Sequence, residues 1–322
     1  MTDKAWVHIP KKCAGRELPF LYPSALLLKD RKIGSVDNPE YHYPENGLYH
    51  LKHALVKIAL RQWDDPVLAP YRNAVGSEKL EKLRGLVETC AVYFLAGALG
   101  EVRAQIRRRL PEFGSLPDDY MAVNLAVPVA DAQRPEVNKL YQQVLCEAWE
   151  LADKLAGHPS MCLSELESLR KEYQEHGASS SGDACFIYPE VSANVQGFVR
   201  SRVSSEGIYL FSDTGASTVD QGIFIFVRRN GSESLNYLHG SVLPLGSSQI
   251  EQNAAINSGN LNVHTLEKLR EMKEQGETSP EIEKARMSIA KEMHKETIST
   301  LAYGKEKLYV KDQLNEIKII FG

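Results

Sequence analysis

Hydrophobic positions recur with helical spacing in some segments of the chain and form short uninterrupted runs in others. Leucines and alanines at helical spacing predict a helix over 47–62. A longer helix is predicted from Ser77, as N-cap, to Leu110, where Pro111 ends it. Further helices are predicted over 134–157, 164–177 and 192–202, and over 262–304, where Ser279 and Pro280 mark a helix start.

The apolar runs that lack helical spacing predict strands. They are bounded by proline, glycine or charged residues, as strands usually are. The predicted strands lie near the N-terminus, over 121–129 as a strand buried on both faces, over 184–190, in a hairpin at 209–226, in a further strand pair within 235–251, and over 316–322. Strands mixed with long helices predict an α/β protein in two lobes, joined near 203–207.

Bulk composition is that of an ordinary globular protein, with 322 residues, 43% hydrophobic and 25% charged. The net charge of −4 gives no reason to expect nucleic acid or a membrane surface as a partner. No uninterrupted apolar run approaches the ~18 residues that a spanning helix needs, and the N-terminus lacks a signal-peptide core, so we expect a cytoplasmic protein. Five scattered cysteines without a C-x-x-C pair fit a reducing compartment and buried structural thiols. The nine histidines lack metal-site spacing.

The turn of the predicted hairpin has an unusual composition, D-x-G-x-x-T-x-D from Asp213 to Asp220. Gly215 lets backbone approach a bulky anion, and successive N–H groups of such a turn can form an anion-binding nest. Ser217 and Thr218 add hydroxyl donors. Asp213 would repel a phosphate unless Mg²⁺ or a water stands between them. The alternative, a β-hairpin whose turn is merely polar, stays open on spacing alone.

Five segments, in order along the chain, together resemble the actin-like ATPase superfamily, and most closely the ATPase domain of the DnaK-like 70-kDa heat-shock chaperones. "FSDTGASTVDQGIFIF" resembles the second phosphate motif of that family. The other four segments are "YPSALLLKD", "NLAVPVADAQRPEVNKLYQQVLCEAWELA", "IYPEVSANVQGF" and "LPLGSSQIE".

The resemblance implies a two-lobed actin-like (ribonuclease H-like) fold. Lobe I would span 1–204, with a helical insertion at about 36–115, and lobe II would span 205–322, with a helical subdomain at about 247–310. The first phosphate hairpin of the family has no counterpart in the sequence, and the C-terminal closing segment is absent after Gly322. We therefore expect a fold that is incomplete at both ends and is completed by a second chain or a further segment.

The resemblance also implies a site for ATP and Mg²⁺. Asp213 would act catalytically through Mg²⁺ or the attacking water. The phosphates would be wrapped by Gly215, Ala216, Ser217 and Thr218, where Ala216 and Ser217 replace glycines of the family motif. Ala216 would be strained if the turn needed a positive φ there.

The same resemblance implies a role for three more residues, and for each of them a purely structural interpretation is also open. Lys52 would reach the transferred phosphate, or it is an exposed lysine of an amphipathic helix. Glu190 would join the metal shell, or it is a solvated or capping carboxylate, because it follows Pro189 where the family glutamate precedes the proline. Gly246 would lie beside the bound phosphates, or it is a glycine that is needed only for the backbone of its own turn.

The resulting hypothesis is an ATP-binding, ATPase-type conformational module that acts on an unknown protein partner and, if active, is an Mg²⁺-dependent ATP hydrolase. A non-catalytic interaction module, either a pseudo-ATPase or a fragment of a longer chaperone-like protein, is favoured by the missing hairpin and the two replacements. An actin-type filament protein is a third alternative, which no feature of the sequence supports specifically.

Overall fold

The computed structural model describes most of the chain as a mixed α/β protein. It describes residues 7–10, 13–14, 24–36, 46–76, 79–116, 119–128, 134–176, 182–199, 204–216, 218–229, 232–309 and 316–321. Contacts between Cα atoms divide the chain into two compact units. Unit 1 is Met1–Leu125 with Glu136–Phe186, and unit 2 is Ala126–Pro135 with Ile187–Gly322. The lobes predicted at 1–204 and 205–322 stay a prediction.

The elements alternate between strands and helices along the chain. The strands are β1 Leu26–Lys29, β2 Lys32–Ser35, β3 Gly47–Leu48, β4 Val123–Val127, β5 Ser160–Cys162, β6 Cys185–Pro189, β7 Gly207–Thr214, β8 Val219–Arg229, β9 Ser232–Leu243 and β10 Lys318–Phe321. The α-helices are α1 Leu51–Ala59, α2 Ala69–Val75, α3 Leu80–Arg109, α4 Pro135–Leu155, α5 Leu163–His176, α6 Glu190–Val199, α7 Ser248–Asn257, α8 Val263–Glu274 and α9 Pro280–Glu306.

Unit 1 combines a small antiparallel sheet, in the order β3-β1-β2-β5, with a helical core. Helices α3 and α4 approach closely at Gly100, where an added Cβ would lie 2.6 Å from the Ala152 carbonyl oxygen. Beside them, Arg170 of α5 is 6% exposed and donates to Glu147 at 2.6 Å and to Glu88 at 3.2 Å. Each buried carboxylate therefore has a cationic partner, as burial of charge requires.

Helix α3 also meets the length and composition of a membrane-spanning segment, which the sequence analysis did not anticipate. It is the one helix of the described residues that does so, and 56% of its most apolar stretch is buried inside the protein. A core helix of this length passes the same test.

Unit 2 is built on a sheet in the order β10-β7-β8-β9, in which β10 runs parallel to β7 and the other neighbours are antiparallel. Helix α6 covers one face through Val191, Val195 and Val199, which pack on alternate aromatic residues of β7 and β8. The opposite face, with Ile208, Leu210 and Ile223, carries helix α9. Both faces of β7 and β8 are thus buried, which explains their unbroken apolar runs.

Close packing in unit 2 depends on two glycines. At Gly222 of β8 an added Cβ would lie 2.9 Å from Cγ1 of Val191, so glycine lets α6 lie directly on the strand. At Gly304 of α9 an added Cβ would lie 2.5 Å from Cδ1 of Ile223 on the other face. Helix α9 begins as predicted, because the Ser279 hydroxyl accepts from the Ile282 N–H at 3.3 Å and Pro280 occupies the first turn.

Four secondary-structure expectations differ from the structure. The strand pair expected within 235–251 is one strand, β9, followed by helix α7. Strand β4 is not buried on both faces, because it belongs to a two-stranded sheet with β6 and alternates between half-buried and exposed residues. The helix expected over 47–62 starts at Leu51, since Gly47–Leu48 pairs with β1 instead. Helix α3 begins at Leu80, and Ser77, the expected cap, lies outside the described residues.

Candidate functional site

Asp213 lies near the end of β7, directly opposite Asp220 of β8. The hairpin closes through a hydrogen bond from the Gly215 N–H to the Thr218 carbonyl oxygen at 2.9 Å. Gly215 and Ala216 are exposed at the tip, and Ser217 lies outside the described residues. The small residues of the motif therefore form a solvent-facing tip, while Asp213 is half-buried and Asp220 is buried on the strands that flank it.

Asp213 is half-buried and has a defined neighbour on helix α6. Its Oδ2 accepts from the Asn194 side-chain amide at 2.6 Å. Residues 209, 211 and 213 of β7 point to the same face because side chains alternate along a strand. Tyr209 and Phe211 pack on α6 there, so the packing of this helix positions Asn194 against Asp213.

Glu190 is the first residue of α6, one helical turn before Asn194. Residues four apart lie on the same side of a helix, so Glu190 projects from the side that carries Asn194. A carboxylate in the first turn is also favoured by the helix dipole. Glu190 thus lies at the same end of unit 2 as Asp213. This position fits a carboxylate of a metal shell and a carboxylate that caps helix α6 equally well.

The turn is held from its other side by the start of helix α7. The Ser247 N–H donates to the Gly215 carbonyl oxygen at 2.9 Å, and the Ser248 N–H donates to the Ala216 carbonyl oxygen at 2.7 Å. The Ser248 hydroxyl donates to the same Ala216 oxygen at 2.6 Å. Gly246 is buried immediately before these serines. Two segments that the sequence analysis connected only through the resemblance are therefore in direct contact.

The backbone of the turn differs from an open anion-binding nest. The Gly215 N–H is used within the turn, and the Thr218 hydroxyl donates to Asp220 Oδ2 at 3.2 Å. A Cβ at Gly215 would lie 3.3 Å from the Thr218 carbonyl oxygen, so glycine eases this close approach, and its φ is not positive. Ala216 is absent from the described residues with a positive φ, so the strain considered for it does not arise.

Lys52 lies in unit 1, on the exposed side of helix α1. Its carbonyl oxygen accepts from the Tyr141 hydroxyl at 2.8 Å, which fixes the backbone of α1 on α4. The catalytic role given to Lys52 by resemblance stays a prediction. No group of three or more histidine, cysteine or acidic side chains in the described chain is arranged as a metal site.

Sequence reasoning did not identify Asn194, Ser247 or Ser248, although each contacts the turn. Helical spacing from Glu190 in "EVSAN" was the available signal for Asn194. The two serines carried only the general signal of hydroxyl residues at a helix start.

Comparisons with known proteins give a partial structural likeness. No protein-family model matches the chain, and no curated protein matches it. Among the solved structures that match is a chain described as "pCBH ParM non-polymerisable quadruple mutant". It is 14% identical, with a TM-score of 0.38, and the match covers 69% of the present chain. The matched part spans 64% of the length of that solved chain. A likeness at this identity and TM-score assigns neither a family nor an activity to the chain.

Proposed function

We propose that unit 2 carries the phosphate-binding part of an ATPase-type module, which binds ATP with Mg²⁺ at the 213–218 turn. The observation that carries this proposal is the placement of Asp213. It is half-buried, held by Asn194 at 2.6 Å and followed by the exposed small residues Gly215 and Ala216. A carboxylate fixed beside an open tip of small residues fits a hydrated Mg²⁺ that carries phosphate oxygens.

The residues present fit such a group in three respects. Mg²⁺ keeps several waters and takes one or two carboxylates, and Asp213 supplies one at the end of a rigid strand. Glu190 projects from the same side of α6 as Asn194 and would supply a second carboxylate to the hydration shell. Gly215 and Ala216 add little bulk, so a phosphate can approach the tip.

A bound Mg²⁺ would supply charge neutralisation at the phosphates, and Asp213 would hold one of its waters or the attacking water. Glu190 orients the metal shell, while Ser217, Thr218 and Gly246 support the turn around the phosphates. Lys52 would act on the transferred phosphate, as the resemblance implies. The extension to the DnaK-like branch, with ATP-driven changes relayed to a protein partner, rests on the sequence resemblance.

A non-catalytic interaction module is the second candidate, and the turn itself favours it. The Gly215 N–H and the Thr218 hydroxyl are committed inside the hairpin, so neither is available to a phosphate in this conformation. Loss of one preorganised donor costs ~10²–10³ in rate in well-studied active sites. Such a chain could keep the fold and recognise a partner without hydrolysis.

Calorimetry with Mg²⁺-ATP at millimolar nucleotide separates the two candidates. The ATPase proposal predicts binding that weakens when Mg²⁺ is chelated, and phosphate release that falls by ~10²-fold or more in Asp213→Asn while much of the affinity remains. Glu277→Gln, which removes an exposed charge elsewhere in unit 2, is the matched control and should change neither quantity. Absence of binding heat would reject the ATPase proposal for this chain, and unchanged turnover in Asp213→Asn would remove Asp213 from it.

A further inference from the structure

Two cysteines that are distant in sequence lie side by side in unit 1. Cys146 is on helix α4, and Cys185 is the first residue of strand β6. The side-chain amide of Gln142 donates to Cys146 Sγ at 3.4 Å and to the Cys185 carbonyl oxygen at 2.8 Å. The Gln142 amide thus brings the Cys146 sulfur and the backbone of Cys185 to the same point.

The two thiols differ in their surroundings. Cys146 is half-buried, whereas Cys185 is 2% exposed. Burial raises the pKa of the Cys185 thiol to about 12, and the neighbouring Cys146 sulfur contributes in the same direction. Because Cys146 is the more exposed of the two, a dissolved oxidant meets its sulfur before that of Cys185.

We propose that Cys146 and Cys185 are a site of oxidative modification that forms an intramolecular disulfide with hydrogen peroxide. The Cys146 thiol loses its proton as its sulfur attacks one peroxide oxygen, the O–O bond breaks, and the hydroxide leaves with that proton as water, which yields a sulfenic acid. The Cys185 sulfur then attacks the Cys146 sulfur, the S–O bond breaks, and a second water leaves with the Cys185 proton. Two thiols are oxidised, and one peroxide is reduced to two waters.

Cys162 is a third thiol that could compete with Cys146 for the oxidant. It is half-buried at the start of α5, and hydrogen bonds from the hydroxyl and N–H of Ser164 lower the pKa of its thiol. Chemical reactivity alone would therefore favour Cys162, whereas proximity favours Cys146 with Cys185. The disulfide, and not oxidation in general, is the outcome that the geometry specifies.

The position of the pair gives the disulfide a structural consequence. Strand β6 carries the chain from unit 1 into unit 2, because unit 1 ends at Phe186. A bond at Cys185 would fix the start of this strand on helix α4 and close a long loop. Oxidation should then raise the melting temperature of unit 1 by ~5–10 °C.

Peptide mapping of the folded protein after mild peroxide treatment tests the proposal. Trypsin places Cys146 in the peptide 140–154 and Cys185 in 172–200, each with one cysteine. We expect these two peptides to be linked, with loss of two hydrogen atoms from the intact protein and reversal by dithiothreitol. Cys162→Ser should leave the link unchanged, and Cys146→Ser should abolish both the link and the rise in melting temperature.

The same experiment has clear contrary outcomes. A folded wild-type protein that accumulates sulfinic acid on Cys146 without the 140–154 to 172–200 link would overturn the proposal. Links that involve Cys162 as often as Cys185 would also overturn it, since proximity would then not direct the reaction. Cys185→Ser should also abolish the link. Circular dichroism of each variant before oxidation verifies its fold, and substitution of the half-buried Cys146 carries the test if Cys185→Ser does not fold.

Discussion

A single methyl group added at Gly222 tests the packing that places helix α6 beside the candidate site. The added Cβ would lie 2.9 Å from Val191 Cγ1, closer than such atoms approach in proteins, so the helix or the valine must shift. Overpacking of this kind costs about 1–3 kcal/mol. Replacing glycine in a strand interior recovers ~0.5–1 kcal/mol. We therefore expect Gly222→Ala to lower the stability of unit 2 by about 0.5–2 kcal/mol.

A second substitution shows whether this cost arises from the contact with Val191. Val191 is fully buried, and Val191→Ala removes two methyl groups, each worth ~0.8 kcal/mol in transfer, and leaves a cavity. The single variant should lose about 2–3 kcal/mol. In the double variant the new methyl occupies part of that space, so its loss should be smaller than the sum by ~1 kcal/mol or more.

The assay must report unit 2 separately, because two units need not unfold together. All three tryptophans, Trp6, Trp63 and Trp149, belong to unit 1, so their fluorescence follows that unit during urea unfolding. Amide hydrogen exchange of peptides from β7 and β8 follows unit 2. Gly97→Ala in helix α3, where an added Cβ meets nothing within 4 Å, is the control and should stabilise unit 1 by ~0.5–1 kcal/mol. Additive effects of Gly222→Ala and Val191→Ala would refute the packing argument.

Three further predictions concern stability. Arg170→Met leaves the fully buried Glu147 without its cation, so unit 1 should lose about 3–5 kcal/mol in urea unfolding followed by tryptophan fluorescence; a loss below ~1 kcal/mol would contradict the buried ion pair. Ser279→Ala removes the N-cap of helix α9 and should lower the free energy of opening of that helix, measured by hydrogen exchange, by about 1 kcal/mol. An unchanged free energy would mean that the Ser279 hydroxyl does not stabilise the helix. Burial lowers the pKa of His53, so the unfolded chain binds more protons and unit 1 should lose stability as pH falls below ~6.5. His53→Gln should flatten that loss, and an unchanged pH profile would assign it to other groups.

The hairpin and its main helices could be predicted from the sequence because their patterns are local. Strands β7 and β8 read as unbroken apolar runs, since both faces are covered by helices. Ser279 and Pro280 marked the start of α9 through capping chemistry that needs no tertiary context.

Elements that depend on their neighbours were harder to predict. The composition of β4 suits a buried strand, yet the number of strands beside it decides its exposure, and a sequence does not show that number. The segment after β9 forms helix α7, and the N–H groups at its start bond the hairpin carbonyls of Gly215 and Ala216. Contacts across such distances in sequence have no local signature.

The candidate site was predictable in its residue types but less so in its geometry. The spacing of Asp213 and Gly215 pointed to a turn that holds a carboxylate beside small residues. It did not indicate that Asn194 holds this carboxylate, or that the Thr218 hydroxyl is taken up by Asp220. Hydrogen-bond partners depend on how α6 lies on the sheet, which is set by Gly222.

The central claim, that the 213–218 turn holds the phosphates of ATP through a divalent ion, is tested most directly with paramagnetic Mn²⁺ in place of Mg²⁺. Amide NMR signals broaden steeply with proximity to bound Mn²⁺-ATP. The account predicts that signals of Thr214, Gly215 and Ala216 broaden first, and that excess Mg²⁺-ATP restores them. Bound Mn²⁺-ATP that leaves these signals sharp while it broadens another region would contradict the account.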